Sequence, residues 1–320
     1  MTVAHRAPRC SDGAGERGDP RAGSAVPVTR WFLLEQPGPW GRDALMSSRL
    51  GSRVAGEVSR RAGAAGARVL LVRRHGRAGH VRQGRRHWAL VDSRPGSEAV
   101  RWGRFEEDDE LLDVRLDGPV EPHRHEGPGD PDSPVYLACA HGRHDTCCAV
   151  RGREVAAALD ELAPGRVWEC SHVGGCRFAA NVVVLPHGLY YGGVTPASAP
   201  GLVEATEHGR VVPGLLRGRS SLPAAVQAAQ HHAREVLLGQ PLDAGPGTVP
   251  DLMAVDALRP LGSTPRDDGA VTVALAVDVD RVLEVTVRQA PSAPPALLTC
   301  AATRPTSPLG WQLVDVRDRG

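Results

Sequence analysis

The chain has 320 residues, 41% of them hydrophobic and 23% charged, with a formal net charge of +1. That length suits a folded protein of two or three domains. The charge balance gives no reason to invoke a nucleic acid or an acidic partner, and no apolar run approaches the ~20 residues that span a bilayer. Every basic residue in the Lys+Arg count is arginine, which reads as compositional bias. Residues 1–27 are polar and rich in Gly, Arg and Ala, so they are expected to be flexible. They lack the apolar segment of a secretory signal, and a cytoplasmic protein with reduced cysteines is expected.

The first ordered element is a strand at Trp31–Glu35, broken by Pro37-Gly38-Pro39, and a helical pattern follows from about Asp43 to Arg61. Arg68–Val72 and His87–Val91 read as strands, with short apolar stretches at Val100–Phe105 and Leu111–Leu116; Asp117–Ser133 reads as a linker. Val135–Ala138 is a strand ending at Cys139. A loop to Cys148 follows, then a helix carrying Val155, Ala158, Leu159 and Leu162. Val167–Glu169 is a short strand ending at Cys170, and Asn181–Leu185 with Leu189–Val194 reads as a hairpin. Apolar positions from Leu222 to Leu237 line one face of a long helix, with Ser220 or Ser221 as a cap and Gly239 as its end. After a Pro/Gly linker at Gln240–Pro250, the remainder is β-rich.

The fold class expected is therefore α/β. It comprises an N-terminal α/β domain over 28–120, a second over 134–240, and a small β-rich region over 251–320. The order strand, loop, helix, strand, hairpin, helix in 134–240 is that of a thioredoxin-like fold. A weaker version in the first half suggests that this domain is duplicated.

Five of the seven cysteines fall between 139 and 176. An odd number clustered in a reducing compartment points to metal or redox chemistry rather than disulfides. The candidate ligands are Cys139, Cys148, His172 and Cys176, in the pattern C-x8-C, a 23-residue gap, then H-x3-C. Two loops supply two ligands each, which suits a [2Fe–2S] cluster whose irons each take two protein donors. Cys147 and Cys170 are candidate substitutes. Gly174 and Gly175 permit positive φ and close backbone approach, and are assigned with His141 and Asp145 to the cofactor's surroundings. The helix after Cys148 would point its positive end at an anionic cluster. Cys10 and Cys300 read as incidental, and His144 as a surface residue.

The segments C-x-H-G-x-x-D-x-C-C at Cys139–Cys148 and C-S-H-x-G-G-x-R-F-A-A-N at Cys170–Asn181 resemble the sucrase/ferredoxin-like family. The likeness extends loosely to W-x-x-x-E-x-P-G-P-W-G at Trp31–Gly41 and is absent from the C-terminal 70 or so residues. It implies a thioredoxin-like ferredoxin fold with a [2Fe–2S] cluster, and maps the family's ligands onto Cys139, Cys148 and His172. The fungal branch has a second histidine where this chain has Cys176. The all-cysteine bacterial thioredoxin-like ferredoxins also use C-x3-C for the second pair. Three cysteines and one histidine thus place the chain between the two. Glycoside hydrolysis, which the family name suggests, needs a positioned carboxylate pair that nothing here singles out.

The function expected is one-electron transfer between redox protein partners, with no membrane or nucleic acid involved. A neutral imidazole replacing a thiolate raises the potential, and a titrating His172 would make that potential fall with pH. The alternative is a non-redox interaction protein with structural zinc, since three cysteines and a histidine are also a zinc set. No nucleotide-binding motif supports an enzyme.

Overall fold

The structure, a computed structural model, describes residues 9–76, 84–121, 132–239 and 251–319. Most of the 117–133 linker and all of the 240–250 linker lie outside these.

A nine-stranded mixed sheet forms the body. Its first half contains β1 (Arg30–Glu35), β2 (Ala67–Arg73), β3 (Arg86–Asp92) and β4 (Ala99–Phe105), with α2 (Ser52–Ala64) crossing from β1 to β2. Its second half contains β5 (Val135–Cys139), β6 (Val167–Cys170), β7 (Asn181–Leu185), β8 (Leu189–Gly192) and β9 (Leu216–Arg219). Here α3 (Thr146–Leu162) crosses from β5 to β6, and α4 (Ala199–Glu207) precedes β9. The strand order is β4-β3-β1-β2-β6-β5-β7-β8-β9. Both halves therefore follow one plan: two parallel strands joined by a helix, then two antiparallel strands added beside the first.

Burial on both faces explains the solid apolar runs. In β1, Trp31 and Leu33 face a core shared by both halves, while Phe32 and Leu34 face α2. Helix α2 presents Val54, Ala55, Val58 and Ala62 to that side, one stripe at helical spacing. On the same side of the second half, Val155, Ala156 and Leu159 of α3 cover Tyr136, Ala138 and Val182.

The halves meet where β2 pairs with β6, antiparallel, through Val72–Cys170 and Arg73–Glu169. The Arg73 guanidinium binds the Glu169 carboxylate at 2.6 Å with both side chains buried, and donates to the Gly38 carbonyl at 2.7 Å.

Several elements depart from the pattern read in the sequence. The helix expected from Asp43 begins only at Ser52. Asp43 closes a turn by accepting from the Met46 N–H, and Gly51 sits at φ +73°. Helix α3 begins at Thr146 rather than after Cys148. A helix α1 (Cys10–Glu16) lies within the first 27 residues, expected to be flexible, with Cys10 and Ala14 buried. The long helix α5 (Ala224–Gly239) starts after Pro223; the Ser220 hydroxyl donates to the Val28 carbonyl instead of capping it.

The C-terminal region is a separate antiparallel sheet of β10 (Arg259–Pro265), β11 (Ala270–Ala276), β12 (Val282–Pro291) and β13 (Leu309–Arg319), in that order. Ala229, Ala233 and Leu237 of α5 pack on Val273, Leu275, Val285 and Val287 of this sheet. Among the described residues no helix is long and apolar enough to cross a membrane.

Removing one member of a buried ion pair strands the other charge and costs about 3–5 kcal/mol. Arg73→Met is expected to destabilise the chain by that amount in urea unfolding. Pairing it with Glu169→Leu should restore most of the loss. A single-variant loss below about 1 kcal/mol would show that the junction does not depend on this pair.

Candidate metal centre

The parallel strands β5 and β6 end side by side, with Cys139 in register with Cys170. The chain then leaves each strand into a short loop, and α3 starts directly above them. Asp145 caps α3 by accepting from the Cys147 N–H at 2.9 Å. This fixes Cys147 and Cys148 in the first turn, where the helix field favours thiolate. Adjacent helical positions point about 100° apart. Cys148 turns inward toward Cys139, while Cys147 turns away toward Cys10 and Cys300.

Glycine is what lets α3 sit this close. A methyl group on Gly152 would overlap the carbonyl of Cys139.

The second loop is held from several sides. The Ser171 hydroxyl accepts from the Leu71 N–H at 3.1 Å, and Arg68 donates to the His172 carbonyl at 2.8 Å. His141 Nδ1 accepts from the His172 N–H at 3.3 Å while its Nε2 donates to the Gly41 carbonyl at 2.6 Å. Both nitrogens of His141 are thus committed to backbone, and burial lowers its pKa despite the Gly41 carbonyl. Gly174 and Gly175 adopt φ +93° and +74°. What crowds Gly175 is protein: a Cβ there would lie 2.5 Å from the guanidinium of Arg217. That buried arginine donates to the Gly174 carbonyl at 2.9 Å and to Asn181 Oδ1 at 2.8 Å, and Asn181 Nδ2 donates to the Gly175 carbonyl at 3.0 Å.

The four sequence-predicted ligand residues are brought together. Cys139, Cys148 and His172 offer donor atoms all within 4.8 Å of one another. His172 Nδ1 and the Cys176 sulfur lie 3.6 Å apart, and Cys148 and Cys176 form a further group with Asp145. The three cysteines are buried. Cys170 is wholly buried and hydrogen-bonds Cys139, but joins no metal-competent group among the described residues. His144, read as a surface residue, stacks on His172 with ring centroids 3.7 Å apart.

The electrostatics favour thiolate at Cys139 and Cys176. Hydrogen bonds from Cys148 and Cys170, aided by His172, hold the Cys139 thiol well below its usual range. Cys148 lowers Cys176 in the same way, and is itself pushed up by its two neighbours and burial. Burial opposes charge on His172, but Cys139 and Cys176 outweigh it and raise its pKa to about 9. Burial lowers Arg217 to about 10. The sequence reading missed Arg217, because an arginine in the short strand Leu-Arg-Gly-Arg carries no sign of being buried.

A cluster of soft donors at the carboxyl ends of two parallel strands on an α/β scaffold is a group that could hold a metal ion. The profile of the sucrase/ferredoxin-like family matches residues 22–218, and the chain belongs to that family. No curated protein and no solved structure matches the chain.

Alanine at a helical glycine ordinarily stabilises by about 0.5–1 kcal/mol. Gly152→Ala should do the reverse. Its methyl meets backbone that cannot rotate aside, and overpacking costs about 1–3 kcal/mol. The variant should lose both thermal stability and bound metal, whereas Gly56→Ala, with open space in α2, should gain stability and keep metal. Equal behaviour of the two variants in thermal melts and metal analysis would contradict the close seating of α3.

Proposed function

We propose that the chain is an electron-transfer protein holding a [2Fe–2S] cluster through Cys139, Cys148, His172 and Cys176. The observation that carries this reading is the convergence of three buried sulfurs and one imidazole from two loops. The donor set fits the group in number and softness. Cys139, Cys148 and His172 form one group of three, while Cys176 joins His172 with His144 and joins Cys148 with Asp145, a spread that suits a binuclear centre better than a single ion. Structural zinc remains the second reading on donor chemistry alone.

The plan shared by the two halves of the sheet supports a thioredoxin-like domain present twice, with only the second copy equipped with ligands. The first copy has Pro37-Gly38-Pro39-Trp40 after β1, where the second has the loop of Cys139. In its place Gly41 accepts from His141, so the ligand-free copy buttresses the ligand loop of the other.

When bound, the cluster supplies a single reversible one-electron change. The residues of the chain set its surroundings. His172 as neutral ligand removes one negative charge relative to four thiolates, and the buried Arg217 adds positive charge beside the Gly174-Gly175 loop. Both favour the reduced, more negative state and raise the potential. His141 keeps the two loops in register. A protein partner in the cytoplasm would supply and accept the electron.

Anaerobically purified protein should be red-brown and contain iron and acid-labile sulfide in equal amounts, about two of each per chain. Colourless protein carrying zinc at these four residues would replace this reading with the structural one. His172→Cys should retain the cluster and lower its midpoint potential by on the order of 100 mV. A potential that does not fall would remove His172 from the ligand set.

A further inference from the structure

A second group of donors lies on the other side of the first turn of α3. The sulfur of Cys147 is 3.5 Å from that of Cys10 and 3.2 Å from that of Cys300, and Cys10 and Cys300 are 3.6 Å apart. Asp145 Oδ2 lies 3.9 Å from the Cys10 sulfur, and all four donor atoms fall within 4.8 Å of one another. A tetrahedral ion with Zn–S bonds of ~2.3 Å needs S···S edges of ~3.8 Å. The edges observed lie close to that. Unlike the donors of the first centre, these four form a single compact group.

Three thiols and a carboxylate drawn together from separate parts of the chain need a cation to be stable as thiolates. The surroundings are built for one. The Ser11 hydroxyl donates to the Cys147 sulfur at 3.2 Å, and the Cys300 N–H donates to Asp145 Oδ2 at 2.9 Å. Donors of this kind orient and neutralise the ligands of a metal site. Cys10, Cys147 and Asp145 are buried, while Cys300 is exposed at the tip of the long connection between β12 and β13.

We propose that Cys10, Cys147, Cys300 and Asp145 form a structural site for one thiophilic divalent cation, zinc by donor chemistry, distinct from the cluster site. The site staples α1 and the β12–β13 loop of the C-terminal sheet to the first turn of α3. Cys10 lies 137 positions and Cys300 153 positions from Cys147, so one ion closes two very long loops. Binding displaces the thiol protons to solvent as the metal–sulfur bonds form. Because Cys147 and Cys148 are consecutive, the ion also fixes the helix turn that presents Cys148 to the cluster.

The test uses the full chain, purified anaerobically, with zinc and iron measured separately. About one zinc per chain is expected beside the iron. Cys300→Ser, a change at an exposed loop, should lose that zinc and keep iron, sulfide and colour; Cys139→Ser should lose iron and keep zinc. Cobalt(II) added to zinc-depleted protein should give the intense visible bands of a tetrahedral thiolate site, weakened in Cys10→Ser and Cys300→Ser. Three results would overturn the proposal. They are zinc content unchanged by Cys300→Ser, a cobalt spectrum of an octahedral site, and a disulfide among these three cysteines in the anaerobic protein. Absence of iron with zinc retained would count against the cluster alone.

Discussion

Everything at the candidate centre depends on how closely the first turn of α3 sits on the carboxyl end of β5. Gly152 allows it, since any side chain there would strike the carbonyl of Cys139. Asp145 fixes where the helix starts by capping Cys147. Given those two constraints, Cys148 reaches Cys139 and the helix dipole faces the sulfurs. Move the helix outward and the strand-end cysteine loses its partner.

The second loop is pinned more elaborately. Its backbone is tied by Arg68, His141, Asn181 and Arg217, from β2, the first ligand loop, β7 and β9 respectively. A loop that must present His172 and Cys176 in fixed positions cannot rely on its own residues, because two of them are glycines at positive φ. The buried positive charge of Arg217 is costly in an apolar core, and the hydrogen bonds it makes to carbonyl oxygens and to Asn181 offset that cost. It also lies near Cys139 and Cys176, so one residue serves both rigidity and charge balance.

How much of this could be read from the sequence follows from what each element buries. The strands of the main sheet announce themselves as apolar runs because both faces are covered, and Trp31–Glu35, Arg68–Val72 and Asn181–Leu185 are found within a residue or two. Elements whose residues do not look apolar are invisible. Helix α1 is Cys-Ser-Asp-Gly-Ala-Gly-Glu, β9 holds two buried arginines, and β10 is framed by prolines. The four donors of the first centre are legible because they sit in two short motifs of unusual composition. The group around Cys147 is not, since its members lie in three distant segments with nothing local to mark them. His141 was read as part of the cofactor's surroundings; the structure shows both its nitrogens engaged by backbone.

The central claim is that an imidazole and three thiolates grip one iron–sulfur unit between two loops, and hyperfine EPR of the chemically reduced protein tests it most directly. The account predicts a spin-½ signal with nitrogen coupling that disappears in His172→Cys while the signal itself persists. A reduced protein without any such signal, or one whose signal carries no nitrogen coupling, would contradict it.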